Sequence, residues 1–203
     1  ERLFDAAGDV PLTLAVIPMH AEPALARALA TVGVEITVVQ HGFAHTNHAA
    51  PDAKKAEFTA ERSPDLMASE VRAGHDRLAE MFGPRFERIF VPPWNRCPDV
   101  LVHRLTATGH RALSTYGPRP ARDAAPGLRQ VNTHADPVDW RGTRRFLGPD
   151  RLAGALAAHL AARRQGTADA AEPTGLLTHH LVHEPEDMAA IGRLVGEIAA
   201  HPA

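Results

Sequence analysis

The apolar residues fall into short continuous runs separated by segments with helical spacing. Residues 12–17 (Leu-Thr-Leu-Ala-Val-Ile) and 34–39 read as strands buried on both faces, and shorter runs of the same kind occur at 88–91, 111–114, 128–133 and 175–178. Between them lie the helices. Residues 1–8 read as the tail of an amphipathic helix closed by Gly8, and 21–31 as an alanine-rich helix ending at Gly33. Ser63-Pro64-Asp65 supplies an N-cap, a first-turn proline and an acidic residue to a helix whose Met67, Val71, Gly74, Leu78, Met81 and Phe82 share a face. Further helices are predicted over 98–108, over 149–164 with Leu152, Leu156 and Leu160 inward, and from Pro185 with Met188, Ile191, Val195 and Ile198 inward. Residues 116–127, rich in proline and glycine, read as a loop. Strands alternating with helices predict an α/β fold with a mostly parallel sheet, either a (β/α) barrel or a doubly wound sheet.

Length makes this a single domain spanning residues 1–203, with enough chain for one core. Charge narrows the partners: 22 Lys plus Arg against 24 Asp plus Glu leave a formal -2, with no basic block fit for nucleic acid or an anionic membrane. No run is apolar and long enough to span a membrane. Cys97, the single cysteine, excludes an internal disulfide and a thiolate metal cage, fits a reduced, cytoplasmic compartment, and has no paired base, so it is expected to be inert.

Thirteen histidines change the picture more than charge does. The run at 36–39 ends in His41-Gly-Phe-Ala-His45-Thr-Asn-His48, and Gly42 puts this His-x3-His pair in a turn at a strand's C-terminal end. Such a pair is either two hydrogen-bonded turn histidines or two of the three protein ligands that a catalytic zinc takes. Three further polar clusters follow three further predicted strands: Pro92-Pro93-Trp94-Asn95-Arg96, His134-Ala-Asp136-Pro-Val-Asp139-Trp140, and His179-His180-Leu-Val-His183. In a closed parallel barrel all four ends meet on one rim, which favours the metal reading. Trp94 and Trp140 serve either as packing residues or as walls against a sugar ring. Pro92-Pro93 either stiffens a turn or fixes backbone N–H groups for an oxyanion. Asp136, followed by proline, is open to a turn-setting role. His179 and His180 cannot both face the rim if they continue a strand, so one of them is structural.

With these residues the chain resembles the polysaccharide deacetylase family of carbohydrate esterases (NodB homology), from about residue 10 to the end. The resemblance implies a distorted (β/α) barrel and hydrolysis of N-acetyl groups on an amino-sugar or polysaccharide, with zinc or another divalent metal (Co, Ni or Mn) as cofactor and a carbohydrate substrate as partner. His41 and His45 match the family's metal-binding turn, residues 91–96 its proline-rich wall, Asp136 to Trp140 its aspartate–tryptophan support, and Leu177-Thr178-His179 the motif that carries the general acid, here His179. Trp94, Asn95, Trp140 and His180 then become candidate substrate contacts. Two departures stand out. The family's aspartate pair, general base and third metal ligand, has no counterpart here, and the expectation is that a first strand carrying it lies upstream of Glu1. Val91 replaces the arginine that opens the wall motif, leaving Arg96 to orient the base. These departures keep two rivals open: a carbohydrate-binding protein that lost catalysis, and a metal hydrolase of another amide or ester.

Overall fold

A computed structural model describes residues 2–201. The elements run α1 (Arg2–Ala7), β1 (Leu12–Val16), α2 (Pro23–Ala30), β2 (Ile36–His41), α3 (Pro64–Phe82), β3 (Phe86–Val91), α4 (Asp99–Val102), β4 (Ala112–Leu113), β5 (Asp123–Ala125), β6 (Leu128–Gln130), α5 (Pro149–Gln165) and α6 (Pro185–Ala200). The six strands make one sheet in the order β1-β2-β3-β4-β6-β5. Every neighbouring pair is parallel except β5–β6, a hairpin turned by Pro126-Gly127, where Gly127 takes the φ of 74° that a second turn position after proline requires. This is the mostly parallel α/β sheet that the alternation of elements predicts.

The core forms three connected layers of apolar contact. Met67 and Val71 of α3 pack with Phe58, Phe90, Leu101, Leu105, Leu113 and Leu128, while Leu78 and Phe82 further along α3 pack with Val16, Leu29, Ile36, Val38 and Phe86. The four-residue period of α3 thus lies across the middle of the sheet. A third cluster joins Ala135 to Leu152 and Leu156 of α5 and to Met188 and Ile191 of α6. Helices α1 and α6 approach closely at Gly192, where an added Cβ would stand 2.8 Å from the Ala6 carbonyl.

Five local expectations change. The helix over 98–108 shrinks to α4 followed by turns as far as Gly109, and the loop over 116–127 contains β5. The strand at 175–178 reduces to a parallel bridge between Leu176 and Ala135, because the Gly175 carbonyl takes both the His134 and Ala135 N–H groups instead of spacing them along a ladder. On α5 the inward face is Leu152, Leu156 and His159; Leu160 is 43% exposed. On α6, Ile198 is exposed too, lying beyond the turn that packs on α1.

Candidate active site and metal centre

Parallel pairing sets the site: His41 and Val91, the last residues of β2 and β3, are direct partners in the sheet. The chains leaving these two strand ends therefore start side by side. The Val91 carbonyl accepts both the Gly42 N–H at 3.0 Å and His41 Nδ1 at 2.9 Å. A carbonyl can only accept, so His41 Nδ1 carries the proton and Nε2 is left with its lone pair outward. Burial pushes the His41 pKa down to about 4; the Val91 hydrogen bond opposes this, and His45 and His179 add to it. His41 is thus a neutral imidazole at pH 7 with Nε2 available, the state a metal ligand needs.

His45 completes the turn with its ring centroid 5.0 Å from that of His41 and 4.5 Å from that of Trp94. Its backbone is left-handed at φ 56°, as are Trp94 at 55° and Asn95 at 57°. Left-handed backbone in a bulky non-glycine residue costs on the order of 1–3 kcal/mol and collects at functional sites. Here it aims Trp94 at His45 across the space between the two strand ends. Gly42 at φ 60° has a second reason to be glycine: a Cβ there would meet Glu57 Oε2 at 2.0 Å and Pro93 Cγ at 2.6 Å.

The opposite wall comes from residues 136–140 and 179. Asp136 Oδ1 accepts the Val138 N–H at 2.9 Å, and Oδ2 accepts Trp140 Nε1 at 2.7 Å and lies 3.3 Å from His179 Nε2. Burial works against the charge on Asp136, but His179, the Val138 N–H and Trp140 together outweigh it and hold the carboxyl below its ordinary range. The Trp140 ring stands edge-on to His179 at 5.0 Å. The charge of His179 adds to the depression of the His41 pKa. His180, by contrast, is exposed in the following turn. Arg96 donates to the Lys55 carbonyl at 2.7 Å, which ties the wall turn to the long loop after the histidines. Burial, with Asp99 nearby, pushes the Cys97 thiol up to about 12, as an inert cysteine requires. Surface depressions beside Arg72 and Arg104 and beside Asp150 and Glu197 lie away from these groups.

Not every histidine of the four clusters joins that rim. His48 is exposed, and His183 is buried with its ring edge-on to Phe146. His134 turns back into the protein and stacks on His159 of α5, with centroids 3.4 Å apart, beside the fully buried Glu172. His134 Nε2 and His159 Nε2 lie 3.3 and 3.8 Å from Glu172 Oε2, and this trio is the one three-residue group among the described residues whose donor atoms come within 4.8 Å of one another. Its donor types suit a metal, and His134 Nε2 and His159 Nε2 are buried with no hydrogen-bond partner, so the trio could hold an ion; the tautomer of His134 argues against it. The Gly175 N–H donates to His134 Nδ1 at 3.1 Å, so in the neutral ring Nε2 carries the proton. Glu172 is already engaged by the Arg119 N–H at 2.9 Å and the Asn132 N–H at 3.3 Å.

Three residues of these two regions are invisible to patterning. Glu57 sits in Lys-Lys-Ala-Glu-Phe, which reads as solvated charge, and Glu172 and His159 fall in a polar linker and on a helix assigned to leucine. Only their partners, distant in sequence, reveal them.

No protein-family model matches the chain, and no curated protein matches it by sequence. Its fold matches solved structures along 98% of its length. A protein from Mycobacterium smegmatis described as a polysaccharide deacetylase superposes at TM-score 0.66 with 20% identity, over 70% of that chain. A family 4 carbohydrate esterase from Streptomyces lividans, solved with acetate, gives 0.58 with 18% identity over 80% of that chain. A third deacetylase, solved with its substrate, gives 0.54 with 16% identity over 76%. The chain therefore has the polysaccharide deacetylase fold.

Proposed function

We propose that this protein is a metal-dependent hydrolase that removes N-acetyl groups from an amino-sugar or polysaccharide. The observation that carries the reading is the pairing of two strand ends, with a neutral His41 whose Nε2 is not used by Val91 and His45 beside it, together with an Asp136–His179 couple whose charge is felt by His41. Similarity of fold to carbohydrate deacetylases supports the substrate class.

His41 and His45 would hold the metal. A divalent ion there, zinc or else Co, Ni or Mn, supplies Lewis acidity and lowers the pKa of bound water. The remaining roles belong to this chain. Asp136 holds His179 through Nε2, which leaves Nδ1 as the nitrogen that delivers a proton to a leaving amine. The carboxylate stabilises the protonated ring, and Trp140, fixed to the same Oδ2, limits where His179 can turn. Trp94 and Asn95 form the opposite wall, and Trp140, 48% exposed, offers an apolar face to a sugar ring. His180 lies outside this arrangement as an exposed substrate contact. Arg96 supports the wall through Lys55.

One observation favours a second reading. Among the described residues no carboxylate joins His41 and His45 in a three-ligand group. A carbohydrate-binding protein with the same rim and no hydrolysis matches that feature. Incubation with acetylated chitin-type and peptidoglycan-type oligomers plus zinc separates the two: acetate release that disappears in His179→Ala supports the hydrolase, and retained oligomer binding without acetate release supports the binder.

A further inference from the structure

The histidine turn is held by a residue that contacts none of its imidazoles. Glu57 is 1% exposed, and its carboxylate accepts three consecutive backbone N–H groups: Phe43 to Oε2 at 3.1 Å, Ala44 to Oε1 at 2.6 Å and His45 to Oε1 at 3.0 Å. Three successive amides converging on one acceptor form an anion-binding concavity, filled here by the protein's own carboxylate. Charge-assisted bonds of this type are short and strong, which is what holding His45 in left-handed backbone demands.

The chain before and after Glu57 keeps it in place. Arg62 Nη1 donates to the Glu57 carbonyl at 3.1 Å while its Nη2 pairs with Glu70 on α3 at 2.7 Å, and neighbouring Phe58 is locked in the core against Phe90. The other side of the turn is equally fixed. Buried Gln40 donates to the Gly42 carbonyl at 2.9 Å and to the Val71 carbonyl at 3.1 Å, and His110 steadies the Gln40 oxygen at 3.1 Å. Gly42 is the seam between the two supports, since any side chain at that position would occupy the carboxylate's space.

We propose that Glu57 is the positioning residue of the metal site: by collecting the amides of residues 43–45 it sets the spacing and aim of His41 and His45 toward a divalent cation. The inference rests on the metal reading of that pair. Groups that orient metal ligands typically contribute about 10- to 100-fold in metal affinity when removed. A residue that merely closed a loop would change folding stability and leave the folded protein's affinity alone.

The test is zinc affinity of the folded protein by competition with a chromophoric chelator, for the unsubstituted chain, Glu57→Gln, Glu57→Ala and His41→Ala, with the apo stability of each from a urea titration. Glu57→Gln keeps the size but sets an amide N–H₂ against backbone donors, and it serves if the alanine variant does not fold. Both variants are expected to bind zinc about 10- to 100-fold more weakly than the parent. Millimolar formate, a carboxylate small enough for the vacated space, restores affinity to Glu57→Ala and leaves the parent unchanged. Unaltered zinc affinity in a folded Glu57 variant, with His41→Ala still abolishing binding, overturns the positioning role and leaves the metal pair standing. Zinc binding that is absent from the parent, or indifferent to His41→Ala, overturns the metal reading and the Glu57 proposal with it.

Discussion

Two groups of histidines in this protein use the same side chain for opposite purposes, and the difference is decided by one backbone atom in each. At the rim, His41 Nδ1 faces the Val91 carbonyl, an acceptor, so the proton sits on Nδ1 and Nε2 points outward with a lone pair. In the interior, His134 Nδ1 faces the Gly175 N–H, a donor, so Nε2 keeps the proton and lies 3.3 Å from Oε2 of buried Glu172. The rim imidazole is a ligand in waiting; the interior one is a link between the end of the sheet and α5. Donor type and clustering alone would choose the interior trio as the metal centre, because among the described residues it alone brings a carboxylate within reach of two imidazoles. The tautomers support the reading proposed here, with the metal at the rim.

The largest expected effect separates these groups outright. His41→Ala abolishes zinc binding measured by elemental analysis after dialysis, whereas His134→Ala keeps the stoichiometry of the parent and loses stability instead, about 1–3 kcal/mol for a buried polar partner left unsatisfied. Equal zinc loss in both variants would collapse the contrast.

Catalysis sharpens it next. His179→Ala is expected to lower kcat by about 10²- to 10⁴-fold, the usual worth of a positioned acid, with zinc content unchanged. Asp136→Asn should fall short of that loss while still lowering kcat, because the ring loses the carboxylate oxygen 3.3 Å from Nε2 that orients it. An Asp136→Asn variant with the parent's kcat would leave Asp136 as the turn former that its following proline suggests.

Acid stability probes the support beneath the rim. His110 is pushed down to about 3, first by burial and then by the charges of His75 and Arg72, and it holds Gln40, which holds Gly42. A histidine whose folded pKa lies below its unfolded value near 6.5 stabilises fully above that value. The contribution drains away as pH falls from about 6.5 toward about 3, at up to about 1.4 kcal/mol per pH unit. Urea midpoints should therefore drop below pH 6 in the parent and drop less steeply in His110→Gln. The smallest effect belongs to Cys97: with its thiol at about 12, iodoacetamide at pH 8 leaves it unmodified in folded protein and labels it only in denaturant.

Much of this arrangement was legible before any coordinates, and the part that was not has a common cause. Apolar runs placed β1, β2 and β3, and capping signals placed α3, where the Ser63 hydroxyl does accept the Leu66 N–H at 3.4 Å. The clusters at strand ends pointed to His41, His45, Trp94, Asp136, Trp140 and His179 because a parallel sheet brings such ends together. The same logic over-counted. His134 and His183 follow strands or bridges as His41 does, yet both are buried away from the rim, since spacing along a chain does not say which face a side chain takes at a bent strand end. Leu160 failed in the same way: His159 took its inward place on α5 because Glu172 and Thr174 were there to receive it. Glu57 and Glu172 escaped detection because a buried carboxylate is recognised by its donors, and those donors are backbone groups with no signature of their own.

The central claim is that metal belongs at the histidine turn and not at the interior trio, and a zinc-edge anomalous difference map from crystals grown with zinc tests it most directly. The account predicts a peak bonded to Nε2 of His41 and His45, with the His134–His159 stack unchanged. A peak among His134, His159 and Glu172 would contradict it.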